Sequence, residues 1–162
     1  MTTLRLILGD QLNAAHSWFH TPRADVLYLL MEVRSETDYV RHHAQKVLAI
    51  FAAMRAFADA LQAAGHRVRY LKIGDTENGQ AFAANLAQVA AECGATRFER
   101  MEADEWRVEQ ALDEAAQALG LPHEVVGSEH FLAERAELAQ RFSAKVPRME
   151  FFYRDMRRRH RI

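Results

Sequence analysis

Three stretches of this chain end alike, each in a helix-forming run, a glycine and then a β-prone run. Leu61-Gln-Ala-Ala-Gly65 precedes His66-Arg-Val-Arg-Tyr-Leu-Lys-Ile73, Ala91-Glu-Cys-Gly94 precedes Ala95-Thr-Arg-Phe-Glu-Arg-Met101, and Gln117-Ala-Leu-Gly120 precedes Leu121-Pro-His-Glu-Val-Val126. Glycine just past a helix takes the left-handed conformation that other residues reach only at a steric cost, so each stretch reads as helix, stop, strand. Helices alternating with strands imply a parallel sheet covered on both faces. With the apolar runs of the first 32 residues added, the pattern predicts strands at about 4–9, 25–32, 66–73, 96–102 and 122–126. Helices are predicted near 39–64, 79–93, 104–119 and 134–142.

The first strand, Leu4-Arg-Leu-Ile-Leu-Gly-Asp-Gln-Leu12, stops on a glycine, an acid and an amide, and the second, Asp25-Val-Leu-Tyr-Leu-Leu-Met31, stops at Glu32. In an open parallel sheet the carboxyl edge is where ligands bind, because strand-end loops and helix starts converge there. Neither G-x-G-x-x-G nor G-x-x-x-x-G-K-[ST] follows a strand, so no phosphate-cradling glycine loop is available. The edge is lined by side chains instead.

The longest helix is expected to start near Ser35-Glu-Thr-Asp38, a capping pattern, and to run to Ala64. Val40, Val47, Ile50, Phe51, Met54, Phe57 and Leu61 then form one apolar stripe against the sheet. On such a helix Tyr39, His43, Val47 and Ile50 share a wall with a polar top and an apolar floor. Together with Gly9, Asp10, Gln11 and Glu32 these residues suit a flat heteroaromatic ring, apolar on its faces and hydrogen-bonded at its edge. The competing reading makes Asp10 and Glu32 solvated strand ends and the histidines surface residues. His42 and His43 point about 100° apart on a helix and cannot chelate one ion together, so no metal site is expected. Trp106, early in an amphipathic helix, is expected to pack on the sheet, with Arg107 beside it free to pair with a ligand. No G-x-S-x-G elbow offers a nucleophile.

Composition sets the outer bounds. At 162 residues, 49% hydrophobic and 27% charged, the chain has single-domain length and an ordinary globular balance. A formal charge of -1 provides no general attraction for DNA or RNA. The lone Cys93 excludes an internal disulfide and fits a reducing cytoplasm, and no apolar run is long enough for a membrane helix, so a cytoplasmic location without membrane contact is expected. The end departs from this balance: Val146-Pro-Arg-Met-Glu-Phe-Phe-Tyr-Arg-Asp-Met-Arg-Arg-Arg-His-Arg-Ile162 is aromatic and then strongly basic. It reads as the start of a connection into a further domain, with residues 1–146 forming the αβ domain and 147–162 the connection.

With these residues in view, the chain resembles the N-terminal domain of the bacterial photolyase-cryptochrome group that carries an iron-sulfur cluster. The likeness rests on Leu6-Ile-Leu-Gly-Asp-Gln-Leu12, Glu32-Val33, Tyr39-Val40, His42-His43, Ile50-Phe51 and Ala53-Met54-Arg55. It continues through Arg67-Val-Arg-Tyr70, Glu105-Trp-Arg-Val108 and Met149-Glu-Phe-Phe-Tyr-Arg-Asp-Met-Arg157. The resemblance implies a Rossmann-like three-layer αβα domain with a five-stranded, mainly parallel sheet. It also implies an antenna dye of the 6,7-dimethyl-8-ribityllumazine type, lined by Gly9, Asp10, Gln11, Glu32, Tyr39, His43, Val47 and Ile50. FAD and a 4Fe-4S cluster with four cysteine ligands are implied for a following helical domain, which would be this domain's protein partner and would carry the DNA contact. No catalysis is expected of these residues by themselves. Two alternatives stay open: a nucleotide- or flavin-binding module using the same crevice, and a small enzyme using His43 and Glu32 as an acid-base pair.

Overall fold

In the computed structural model, which describes residues 1–143 and 148–162, the chain forms two compact units, Met1–Ser128 and Glu129–Ile162. The expected boundary between residues 146 and 147 lies outside the described residues.

The first unit is built on β1 (Thr2–Leu6), which lies at the centre of a five-stranded sheet. Strands β2 (Val26–Met31) and β3 (Arg67–Leu71) extend it to one side, and β4 (Ala95–Met101) and β5 (His123–Val126) to the other. Every pairing is parallel, in the order β3-β2-β1-β4-β5. Alternate side chains of a strand face opposite sides of the sheet, and here both sides are apolar. Leu4, Leu6, Leu29, Met31 and Phe98 pack with α3 (Phe82–Cys93) and α4 (Trp106–Leu119) through Leu86, Val89, Val108 and Leu112. Ile7, Val26, Tyr28 and Leu30 pack with α2 (Ala44–Ala63) through Met54, Ala58 and Leu61. This is the three-layer Rossmann-like arrangement.

The three glycine stops hold: Gly65, Gly94 and Gly120 have φ of 91°, 60° and 64°, each just past α2, α3 and α4. The start of the long helix is different from the expectation. Ser35-Glu-Thr-Asp38 does open a helix, but only the single turn α1 (Arg34–Thr37), after which residues 38–41 are turns and 42–43 are irregular. Helix α2 begins at Ala44, with His43 as its N-cap, its Nδ1 accepting from the Gln45 N–H at 3.2 Å. Tyr39 and Val40 are therefore not on α2, and Val40 is half exposed instead of heading the stripe. Trp106 is also not a core residue; its side chain stands at 75% exposure at the start of α4. Where α2 does not reach, the face of β1 and β4 carries a buried ion pair, Arg5 Nε to Glu99 Oε2 at 2.8 Å, roofed by Trp18 with the Arg5 guanidinium 4.5 Å from its ring.

The second unit holds α5 (Arg135–Arg141) and α6 (Met149–His160). Phe142 meets Phe152 at 5.4 Å between ring centroids, and Arg159 pairs with Glu137 at 2.8 Å. Arg141 pairs with Asp155 as well. None of the residues of α5 or α6 is buried.

Gly94 separates the backbone effect from packing, because a Cβ added there would meet nothing within 4 Å. Gly94→Ala should lower stability by about 1–2 kcal/mol, the cost of a left-handed non-glycine residue. Gly74→Ala, equally open but without a positive φ, should change it by less than about 1 kcal/mol in either direction. Urea denaturation of the two variants checks the contrast.

Candidate functional site

The sheet order reverses direction between β1 and β4, since β2 and β3 lie to one side of β1 and β4 and β5 to the other. At such a switch point the loops leaving neighbouring strands diverge and leave a crevice. Here it is a cavity of about 320 Å³, with Ile7, Leu8, Gly9 and Asp10 from the end of β1 and Ala103 and Glu105 from the loop after β4. Met31 at the end of β2, Val33 beyond it and Phe82 and Val108 of α3 and α4 complete one side, and Val47, Ile50, Phe51 and Met54 of α2 the other. The polar rim is Asp10, Glu36, Tyr39, His42, Lys46 and Glu105.

Two of the sequence-expected residues build the crevice without lining it. Gln11, almost fully buried, accepts from the Leu8 N–H at 3.1 Å through Oε1 and donates from Nε2 to the Glu102 carbonyl at 3.0 Å. It staples the loop after β1 to the loop after β4. Glu32 is wholly buried, with Arg55 donating to both carboxylate oxygens at 2.6 and 2.8 Å, Tyr70 Oη at 2.7 Å and the Ile73 N–H at 2.9 Å. Burial by itself would raise the Glu32 pKa, but the hydrogen bonds from Arg55, Ile73 and Tyr70 outweigh it and hold the carboxyl below its ordinary range. The same pairing drives Arg55 upward. His43 is spent on capping α2 and does not line the cavity, so Glu32 and His43 each have structural partners and do not form an acid-base pair at this site.

Gly9, Asp10, Tyr39, Val47 and Ile50 are brought together at the cavity. Gly9 matters by what it lacks: a Cβ there would lie 3.0 Å from Met54 Sδ and 3.1 Å from Ile50 Cγ2, so glycine lets α2 close onto the end of β1. His42 also faces the cavity, and its Nε2 is shielded from solvent with no hydrogen-bond partner. Its signal was the His-His dipeptide itself. With α2 starting at Ala44, the ring that caps the helix is His43, and His42 is left to the cavity. Glu36, Lys46, Met31, Met54 and Glu105 are further lining residues that were not singled out, Met54 having been placed only on the helix stripe. Among the described residues no cluster of three or more metal-ligating side chains occurs, and no helix is long and apolar enough to cross a membrane.

Fold and site together define an α/β protein of the Rossmann type with a small, apolar-floored crevice at the switch point of its sheet. The family model described as deoxyribodipyrimidine photo-lyase-related protein matches residues 5–162, and the chain belongs to that family. It is similar to a (6-4) photolyase of Agrobacterium fabrum (strain C58 / ATCC 33970), with 35% identity over 161 residues. That match covers 98% of this chain and 32% of the relative, so the chain spans about a third of the relative's length.

The Glu32 geometry makes a sign-definite prediction. Its folded pKa is depressed, so the carboxylate's contribution is present at neutral pH and lost as the pH falls through the folded value. Glu32→Gln should cost about 1–3 kcal/mol at pH 7 and flatten the loss of stability between roughly pH 5 and 3. Arg55→Ala leaves the buried carboxylate its hydrogen bonds from Tyr70 and Ile73 but no counter-charge, and should cost more, about 3 kcal/mol or above. Urea titrations from pH 3 to 8 measure both.

Proposed function

We propose that this chain is the light-harvesting part of a photolyase- or cryptochrome-like protein, holding a 6,7-dimethyl-8-ribityllumazine-type antenna dye and performing no catalysis of its own. The observation that carries the reading is the switch-point cavity, apolar in its floor and polar only at its rim. A flat bicyclic ring suits the space between Ile50 and Met54 on one side and Ala103 and Val108 on the other, and a polyol chain suits Asp10, Glu36 and Tyr39. The unpartnered His42 Nε2 is a hydrogen-bonding group in want of a partner at that ring edge. A ligand without pyrophosphate also accounts for the missing glycine-rich loop. The family and the similarity to a (6-4) photolyase support the wider assignment.

The physical task in this reading is to fix a dye rigidly, at set distance and orientation, relative to a flavin. The flavin belongs to a partner domain together with a 4Fe-4S cluster, for which this chain's single cysteine cannot supply four thiolates; burial pushes even that Cys93 thiol up. DNA is met through the parent protein and not through these residues. The single cysteine of the sequence suits a reducing, cytoplasmic setting.

Fluorescence titration of the purified chain with 6,7-dimethyl-8-ribityllumazine tests the reading. The wild type should bind it, and Ile50→Trp, which fills the cavity between α2 and β1, should weaken binding at least about tenfold, equivalent to ~1.4 kcal/mol. Equal binding by the Trp variant would place the dye elsewhere. In a thermal-shift panel the lumazine at a hundred times its Kd should stabilise by about 2.7 kcal/mol. Stabilisation by ATP, FMN or FAD without any by the lumazine would favour the nucleotide- or flavin-binding alternative.

A further inference from the structure

The cation that ties the cavity rim together is Arg107, in the first turn of α4. Its Nη1 and Nη2 donate to the two carboxylate oxygens of Glu36 at 2.9 and 3.1 Å, and its Nε and Nη2 to those of Glu105 at 2.7 and 3.3 Å. Its Cζ also sits 3.9 Å from the centroid of the Tyr39 ring. Glu36, Tyr39 and Glu105 all line the cavity, whereas Arg107 stands behind them. One guanidinium thus serves three rim residues, two on the connection between β2 and α2 and one at the head of α4. The planar fork allows two carboxylates in its plane and an aromatic ring on its face at once, which a lysine ammonium does not.

The connection it holds has few other anchors. Helix α1 is one turn long, has no side-chain N-cap and buries none of its residues. Residues 38–41 are turns and 42–43 irregular, and the side-chain bonds of Asp38 stay local, to Thr37 at 2.9 Å and Arg34 at 3.7 Å. A backbone bond, Ser35 N–H to the Gln80 carbonyl at 3.3 Å, ties its beginning, and His43 ties its end as the cap of α2. Between these two points the segment carries Glu36, Tyr39 and His42 against the cavity. A surface segment with so little buried apolar area opens at low free energy unless something specific holds it shut.

We propose that Arg107 is the latch of the ligand site: it positions Glu36 and Tyr39, holds residues 34–43 over the cavity, and so sets how fast a ligand enters and leaves. This rests on reading the cavity as a ligand site. Arg107 is a positioning residue, since it acts through the rim side chains and not on the ligand itself. Its contacts are part-exposed, so each is modest, and together they amount to about a tenfold bias toward the closed segment.

Hydrogen-exchange mass spectrometry on the wild type, Arg107→Met and Arg107→Lys, joined to stopped-flow release of 6,7-dimethyl-8-ribityllumazine, tests the latch. In Arg107→Met the amides of residues 35–43 should exchange about tenfold faster, with β1, β2 and β4 unchanged, and dye release should quicken by a similar factor. Affinity should fall less than release quickens, because entry quickens too. Arg107→Lys should lie between, keeping a charge but losing the fork. A merely structural role would speed exchange in α4 and β4 as much as in the segment, which would overturn the proposal. So would unchanged exchange at 35–43, or faster exchange with a release rate within twofold of wild type. Wild-type protein that binds no dye would overturn the ligand reading and with it the gating role, while the exchange ratio by itself still reports whether Arg107 holds the segment.

Discussion

A wholly buried carboxylate, Glu32, decides where α2 lies, and the crevice at the sheet's switch point follows from that position. It sits at the end of β2 and takes hydrogen bonds from Arg55 on α2, Tyr70 on β3 and the Ile73 backbone just beyond β3. A buried anion is tolerated only when every oxygen is paired, so the bonds it demands draw three elements to one point. The Arg55 guanidinium that answers it remains about half in water, which lowers the desolvation cost of the pair. One turn before Arg55 on the same helix come Ile50 and Phe51, and Met54 is its neighbour. An acid that does not line the crevice thereby positions one of its walls.

The opposite side of the crevice is set by two smaller devices at the end of β1. Gln11 joins the loops after β1 and β4 with one amide, across the point where the sheet order reverses and the loops would otherwise separate. Gly9 removes the one Cβ that would push α2 away through Met54 and Ile50. Pairing at the base, a staple on one side and a missing side chain on the other leave a slot whose floor is apolar because strand ends and helix faces meet there. Its rim is polar because α1, the 38–43 segment and the start of α4 carry Glu36, Tyr39, His42 and Glu105. The same rim residues make the crevice depend on Arg107, which links the β2–α2 connection to α4.

Much of this was legible in the residues, and the parts that were not share a cause. Helix stops at Gly65, Gly94 and Gly120 are local events fixed by backbone conformation, so alternation and the parallel sheet could be read directly. Asp10, Val47 and Ile50 reach the crevice because strand ends and helix faces follow simple periods. The start of α2 was misplaced because Ser35-Glu-Thr-Asp38 is a sound local capping signal that begins a helix of one turn only. What interrupts it is long-range: Glu36 and Tyr39 are taken up by Arg107, 71 residues further on in the case of Glu36. A helix begun at residue 39 puts Tyr39 and His43 on one wall, whereas a helix begun at Ala44 makes His43 its cap and turns His42 to the cavity. Gln11 and Glu32 were noticed for the right place and the wrong contact, because polar residues at a strand end can face the ligand or brace the loops. Trp106 shows the reverse case, an aromatic whose position suggests packing and whose side chain stands in solvent.

The central claim is that a ring-shaped ligand enters the slot between β1, β4 and α2. The most direct test is a ¹³C-methyl spectrum of the chain, labelled at methionine and isoleucine, recorded while 6,7-dimethyl-8-ribityllumazine is added. Ring currents should move the methyl signals of Ile7, Ile50, Met31 and Met54, leaving that of the exposed Met1 in place. Unmoved signals at Ile50 and Met54 would contradict it.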